Sequence, residues 1–115
     1  MYVLKFTSAA IGDLKTVPKH LKGPLRKELV ENLAVNPIGC SHELQGDLKG
    51  YRSFVWQEYR VVCRVFEDVK AIAVVGMGLR SAQSAENIYR KLEVLARTGE
   101  LAQGVLFSLR GFHQA

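Results

Sequence analysis

Hydrophobic residues along the chain follow two kinds of repeat. Alternating or β-rich runs occupy residues 2–6 (YVLKF), 51–56 (YRSFVW), 59–66 (YRVVCRVF) and 70–75 (KAIAVV). Val, Ile, Phe, Tyr and Trp in short runs separated by polar breaks predict strands, and the last three a meander. Helical spacing fills the rest. Ile11, Leu14 and Val17 predict a short helix capped by Thr7 or Ser8. Pro18 ends that helix or opens the next element. Leu21, Leu25, Leu29 and Leu33 recur at every fourth residue and require a partner surface. The main second helix is predicted over 24–35, with Pro24 in its first turn and Asn36-Pro37 as its stop. Residues 38–45 read as a connection. A third helix over 85–97, capped by Ser81 or Ser84, carries Ile88, Leu92 and Leu95 on one face and ends at Thr98-Gly99.

The order β-α-α-β-β-β-α predicts an α+β fold. A small antiparallel-rich sheet, made of the N-terminal strand and a three-stranded meander, would carry a helical hairpin and a C-terminal helix on one face. Residues 1–99 form this domain. The tail, 100–115, has a small apolar run (Val105, Leu106, Phe107, Leu109) that can add an edge strand or pack against a partner.

Strand alternation assigns side chains to faces. Tyr59, Val61, Cys63 and Val65 form an apolar set that should meet the helices; Arg60, Val62, Arg64 and Phe66 should face away. A two-residue turn at Gln57-Glu58 would place Arg52 among core residues. A three-residue turn, Trp56-Gln57-Glu58, would pair Phe54 with Arg60 and put Arg52 on the Arg60 face. A one-residue slip reverses every side chain, and burying an unpaired guanidinium is costly. The three-residue turn is therefore expected.

Composition changes this picture in a few places. The 115 residues suit one domain with a modest core, and 48% hydrophobic with 23% charged residues is ordinary for a globule. A net charge of +5 favours an acidic partner, either nucleic acid or an acidic protein. No apolar run is long enough to span a membrane, and the N-terminus is too quickly polar for a signal peptide. Cys40 and Cys63 are isolated, which predicts reduced thiols and a cytoplasmic protein. No cluster has metal-ligand spacing, and no cofactor is implied. His20, His42 and His113 are scattered and are read as ordinary residues.

The stretch ENLAVNP, followed by LQGDLKGYRSF, EYRVVCRV and VVGMGLR, resembles the RelE/ParE superfamily of small bacterial toxins over about residues 2–95. The shared features are a leucine-rich second helix ending near Asn-Pro, an L-x-G-x-x-x-G-Y-R strand, a Y-R-V strand and a final strand ending in G-x-R. The resemblance implies the toxin of a type II toxin–antitoxin module of the plasmid-stabilising, growth-arresting kind. It also implies an acidic, partly disordered antitoxin, in a heterotetramer or larger assembly. The enzymatic branch of the family implies a metal-independent endoribonuclease, a ribosome-dependent mRNA interferase that inhibits translation. There the 2′-hydroxyl attacks the adjacent phosphorus, giving a 2′,3′-cyclic phosphate. The alternative is a ParE-type inhibitor of DNA gyrase with no chemistry of its own; a third is a domain that only binds an antitoxin or regulates.

Arg60 matches the family's strand arginine and would stabilise transition-state charge; its fork fits phosphate oxygens. Arg80 matches the arginine after the last strand, a phosphate or leaving-group contact. Tyr89 is the nearest candidate for a following tyrosine and would stack on a base or move a proton. Arg52 would hold substrate backbone. Lys49 and Arg64 are candidate RNA contacts, although each also suits a solvated or ion-paired surface, as do the basic residues between Lys19 and Lys27. Three features depart from the family, one being that Tyr89 lies nine residues beyond Arg80, farther than the family spacing. Phe54 stands where many nucleases carry a second basic residue, and Leu79 where a His or Lys often precedes the final arginine.

Overall fold

The computed structural model describes residues 1–80 and 87–114. In chain order these form β1 (Val3–Phe6), α1 (Ser8–Thr16), α2 (Lys19–Glu28), β2 (Ser41–Glu43), β3 (Arg52–Trp56), β4 (Tyr59–Phe66), β5 (Ala71–Leu79), α3 (Ile88–Arg97) and α4 (Glu100–Gln114). The sheet has five strands in the order β1-β5-β4-β3-β2. β1 runs parallel to β5, with Val3 opposite Ala71, and the other pairs are antiparallel. The α+β class and the antiparallel-rich sheet are as expected.

Thr7 caps α1, its hydroxyl accepting from the Ala10 amide at 3.2 Å. Ile11 does not join the buried stripe and is 46% exposed; Ala10, Leu14 and Val17 face the sheet instead. α2 opens at Lys19, five residues earlier than expected, and carries Pro24 inside it. Pro24 is the sixth of its ten residues and removes one intrahelical bond, while Leu21 still packs on the core. Its last turn widens over Leu29–Leu33, closed by a bond from the Ala34 amide to the Leu29 carbonyl at 2.8 Å. A strict four-residue repeat drifts by about 40° per step on a regular helix, and a wider turn takes part of that back. Leu25, Leu29 and Leu33 accordingly all stay buried.

Helices cover both faces of the sheet, not one. α1 and α2 pack against Phe54, Val61, Cys63, Ile72 and Val74. Ile88, Leu92, Leu101 and Val105 of α3 and α4 pack against Val62, Ala73 and Val75 on the opposite face. The signal was in the strands, since Val62, Ala73 and Val75 are wholly buried and alternate with the first set. The tail forms α4 and not an edge strand, and it exposes Leu106 and Phe107. The expected connection over 38–45 contains β2, which pairs with β3 at Ser41–Phe54, His42–Ser53 and Glu43–Arg52.

The turn between β3 and β4 has two residues. Trp56 pairs with Tyr59, Val55 with Arg60 and Phe54 with Val61, and Gln57 takes a left-handed φ of 53° to close it. Arg52 therefore lies on the α1/α2 side, opposite to Arg60. Its position at the sheet's end removes the expected penalty. Nε donates to the Ser41 hydroxyl at 2.7 Å, Nη2 donates to the Ser41 and Ile38 carbonyls, and Glu43 lies 3.6 Å away. A guanidinium with these partners is not an unpaired buried charge.

Candidate active-site cleft

Arg60 projects from β4 on the α3/α4 side, across from Val55 of β3 and Gly78 of β5. Its Nη1 donates to the Gln57 and Tyr59 carbonyls, both at 3.1 Å. Arg80 reaches the same face because β5 carries a bulge. Val62 pairs with Gly76 but Cys63 pairs with Val74, so Val75 is an extra residue in the strand. An extra residue reverses the alternation beyond it. Ala73 and Val75 face α3 and α4, and after the bulge Gly76 and Gly78 do so too. Arg80 keeps that parity, its amide donating to the Glu58 carbonyl at 3.3 Å. Among the described residues neither Arg60 nor Arg80 forms an ion pair.

Tyr89 lies in the first turn of α3. Asn87 caps this helix, its side chain accepting from the Tyr89 amide at 2.9 Å; Ser81 and Ser84, the expected caps, lie outside the described residues. The Tyr89 hydroxyl is 2.8 Å from the hydroxyl of Ser53, a residue with no solvent exposure on β3. Ser53 fixes the phenol at the cleft wall. The fourth polar member is His42, the partner of Ser53 in the β2–β3 ladder. His42, Leu44, Val55, Arg60, Arg80 and Tyr89 line one open cleft of ≈ 360 Å³. The sequence reading set His42 aside as scattered; only the unpredicted β2 brings it beside the arginines. His20 lies exposed on α2, and the His113 side chain lies outside the described residues.

Three expected RNA contacts lie elsewhere. Arg52 is committed to the carbonyls and carboxylate described above. Lys49 joins it in a second hollow of ≈ 410 Å³, together with Glu43 and Glu67, so that surface is of mixed sign. Arg64 stacks over the Phe66 and Tyr51 rings, 5.3 and 5.9 Å from their centroids, further along β4 than the cleft. A larger hollow of ≈ 630 Å³ opens between the start of α1 and α4, but no arginine lines it, and size alone does not locate chemistry.

The thiols are not poised for nucleophilic work. Burial pushes Cys63 up to about 12 against the opposing pull of Arg52, and burial likewise raises Cys40. Among the described residues no group of His, Cys, Asp and Glu could hold a metal ion. No described helix is long and apolar enough to cross a membrane.

No protein-family model matches the chain. No curated protein sequence matches it. Solved structures do match in fold. The RelBE2 toxin–antitoxin complex of Mycobacterium tuberculosis matches with a TM-score of 0.65 and 22% identity, over 69% of this chain and 98% of that one. The isolated E. coli RelE toxin matches with a TM-score of 0.60 and 21% identity, over 85% and 99%. The YoeB/ParE toxin of Agrobacterium tumefaciens matches with a TM-score of 0.55 and 22% identity, over 69% and 99%. The chain thus has the fold shared by RelE-type and YoeB/ParE-type toxins, across nearly the whole length of each.

Proposed function

We propose that this chain is the toxin of a type II toxin–antitoxin module, acting as a metal-independent endoribonuclease on mRNA in the ribosome. The observation that carries the reading is the convergence of Arg60 and Arg80, neither held by a carboxylate among the described residues, with Tyr89 in one open cleft. Two forked cations over a floor that includes Val55 and Leu44 suit a phosphodiester, and their attraction strengthens as negative charge builds on the phosphorane oxygens. In-line attack by the 2′-hydroxyl yields a 2′,3′-cyclic phosphate and a 5′-hydroxyl end. Arg60 stabilises the phosphorane oxygens, Arg80 grips the phosphate on the leaving side, and Tyr89 stacks on a base or supplies a proton. An acidic antitoxin would neutralise the toxin. We place a partner contact on α4, whose Leu106 and Phe107 are 59% and 71% exposed.

Induction of the chain alone should arrest growth, and mapped transcript 5′ ends should show new cuts in translated messages. Arg60→Ala or Arg80→Ala should each lower cleavage by at least ~100-fold, on the scale of removing one preorganised transition-state donor. Intact messages after growth arrest would refute the nuclease reading.

One observation favours a second reading. The cleft side of β3 carries Ser53 and Val55, so this strand gives the site no cation. A gyrase inhibitor on the same fold needs a binding surface without chemistry. Filamentation and gyrase-linked DNA breaks with intact messages would favour it.

A further inference from the structure

Ser53 sits on the cleft side of β3 with no solvent exposure, opposite Val62 of β4, which is wholly buried in one cluster with Ile88 and Leu92. Its hydroxyl lies 2.8 Å from the Tyr89 hydroxyl and has no other hydrogen-bond partner among the described residues. A hydroxyl has one proton to donate and lone pairs to accept with, so one of the two donates to the other. If Tyr89 donates, the Ser53 proton is left buried with nothing to accept it, which costs more than a hydrogen bond typically gains. If Ser53 donates, both groups are satisfied. The buried proton is then used, and the Tyr89 proton is free to point into the open cleft that the tyrosine lines.

We propose that Ser53 is a positioning residue for proton delivery, turning the Tyr89 O–H toward the cleft and holding the phenol oxygen from behind as the proton leaves. The assignment rests on the ribonuclease reading above, and of the two uses open to Tyr89 it selects the proton donor. Both ends of the contact are fixed. Ser53 belongs to two ladders, paired with His42 of β2 and Val62 of β4. Tyr89 is held in the first turn of α3, where the Asn87 side chain accepts from its amide at 2.9 Å. A hydrogen bond to an oxygen that gains negative charge strengthens with that charge. A neutral serine can therefore favour the transferred proton over the starting state.

In the reaction, the 2′ oxygen bonds to phosphorus and its proton passes to solvent water. The bond from phosphorus to the 5′ oxygen breaks, its electron pair staying on that oxygen. The 5′ oxygen takes the proton of the Tyr89 hydroxyl. The phenolate left behind keeps the Ser53 hydrogen bond and shares the cleft with Arg60 and Arg80. Water then returns a proton to Tyr89, and Ser53 is chemically unchanged throughout. A serine without solvent exposure touches no substrate, so its effect must pass through the tyrosine.

The test is single-turnover cleavage of a short mRNA on programmed ribosomes by the full chain and its variants, with two substrates. One has the ordinary 5′ oxygen at the cleavage site; in the other sulfur replaces it, and a thiolate leaves without taking a proton. On the oxygen substrate Ser53→Ala should cut at least ~10-fold more slowly, on the scale of a hydrogen bond to a charged group. Tyr89→Phe should cut at least ~100-fold more slowly, as for loss of a general acid. On the sulfur substrate both losses should disappear. Ser53→Thr, which keeps the hydroxyl, should recover most of the oxygen-substrate rate, and Ser53→Ala should add no loss to Tyr89→Phe. An unchanged Ser53→Ala rate would overturn the assignment. So would equal slowing on both substrates, the mark of a role that is only structural. Thermal melting checks folding; if Ser53→Ala does not fold, Tyr89→Phe decides, and slowing on the sulfur substrate overturns the proposal. Cleavage by the unaltered chain separates the two levels of argument. If it cuts and Ser53→Ala cuts equally well, only the serine is wrong; if it cuts neither substrate, the nuclease reading itself fails.

Discussion

Asp13 shows how one side chain completes the sheet. β1 pairs with β5 only as far as Val74, which leaves the β1-side edge of β5 beyond it without a strand partner. Asp13 is 8% exposed and fills that place, one carboxylate oxygen accepting from the Met77 amide at 3.1 Å and the other from Lys91 Nζ at 2.6 Å. Asp13→Ala should lower unfolding free energy by about 1–3 kcal/mol, the cost of stranding a buried amide. Lys91→Met should cost less, because half of the lysine side chain is in water. Denaturant titration of both variants measures the order. Cys63 gives a second prediction, this one dependent on pH. Its folded value is raised from 9.0 to about 12, so the folded chain keeps a proton that the unfolded chain releases. The associated stability is whole below pH 9 and is lost as pH rises toward 12, by at most about 1.4 kcal/mol per pH unit. Cys63→Ala should flatten that slope in denaturation curves taken from pH 8 upward. Neither role was legible in sequence. Asp13 falls between Ile11 and Leu14 in what reads as an apolar stripe, and its partners are 64 and 78 residues away.

Among the elements, β5 does most to shape the cleft. Its bulge turns Gly76, Gly78 and Arg80 to the side of Arg60, and α3 then lies close over the two glycines. A Cβ at Gly76 would stand 2.9 Å from a Leu92 methyl and 3.3 Å from an Asp13 oxygen. Leu92 has no exposure and cannot swing aside. Gly76→Ala should therefore destabilise by about 1–3 kcal/mol through overpacking, read as a lower melting temperature. The same position at Gly78 meets Ile88 only at 3.5 Å, so Gly78→Ala should be milder. Alternation and four-residue spacing found β1, the meander and the first three helices because those signals come from side chains that are buried. They missed what depends on backbone detail or distant partners. The bulge leaves no mark in the hydrophobic pattern. The turn at Gln57 has no glycine, and β2 is three residues long with His42 and Glu43 exposed. The tail's helix was hidden behind a run that reads equally well as a strand. Arg60, Arg80 and Tyr89, which the fold brings to one cleft, were singled out through a resemblance of motifs and not through periodicity.

At the scale of the molecule, charge and topology set the terms of binding. The chain carries +5, and Lys19, Arg26 and Lys27 stand exposed on α2 without ion pairs among the described residues. If RNA is the target, affinity should fall steeply and linearly with the logarithm of salt concentration, with a slope that counts the phosphates neutralised. Filter-binding titrations of an RNA oligonucleotide over a salt series measure it, and a flat response would exclude phosphate contact. Topology has a consequence of a different sort. The cleft draws on residues 42, 60, 80 and 89, from four separated segments, and the first strand waits for a partner 68 residues further on. Contacts so distant form late, after the intervening chain is ordered. A growing chain therefore lacks a complete cleft until the segment carrying Tyr89 has joined the others. Under the proposed toxin reading, that delay gives an acidic inhibitor an interval in which to bind before the cleft is complete.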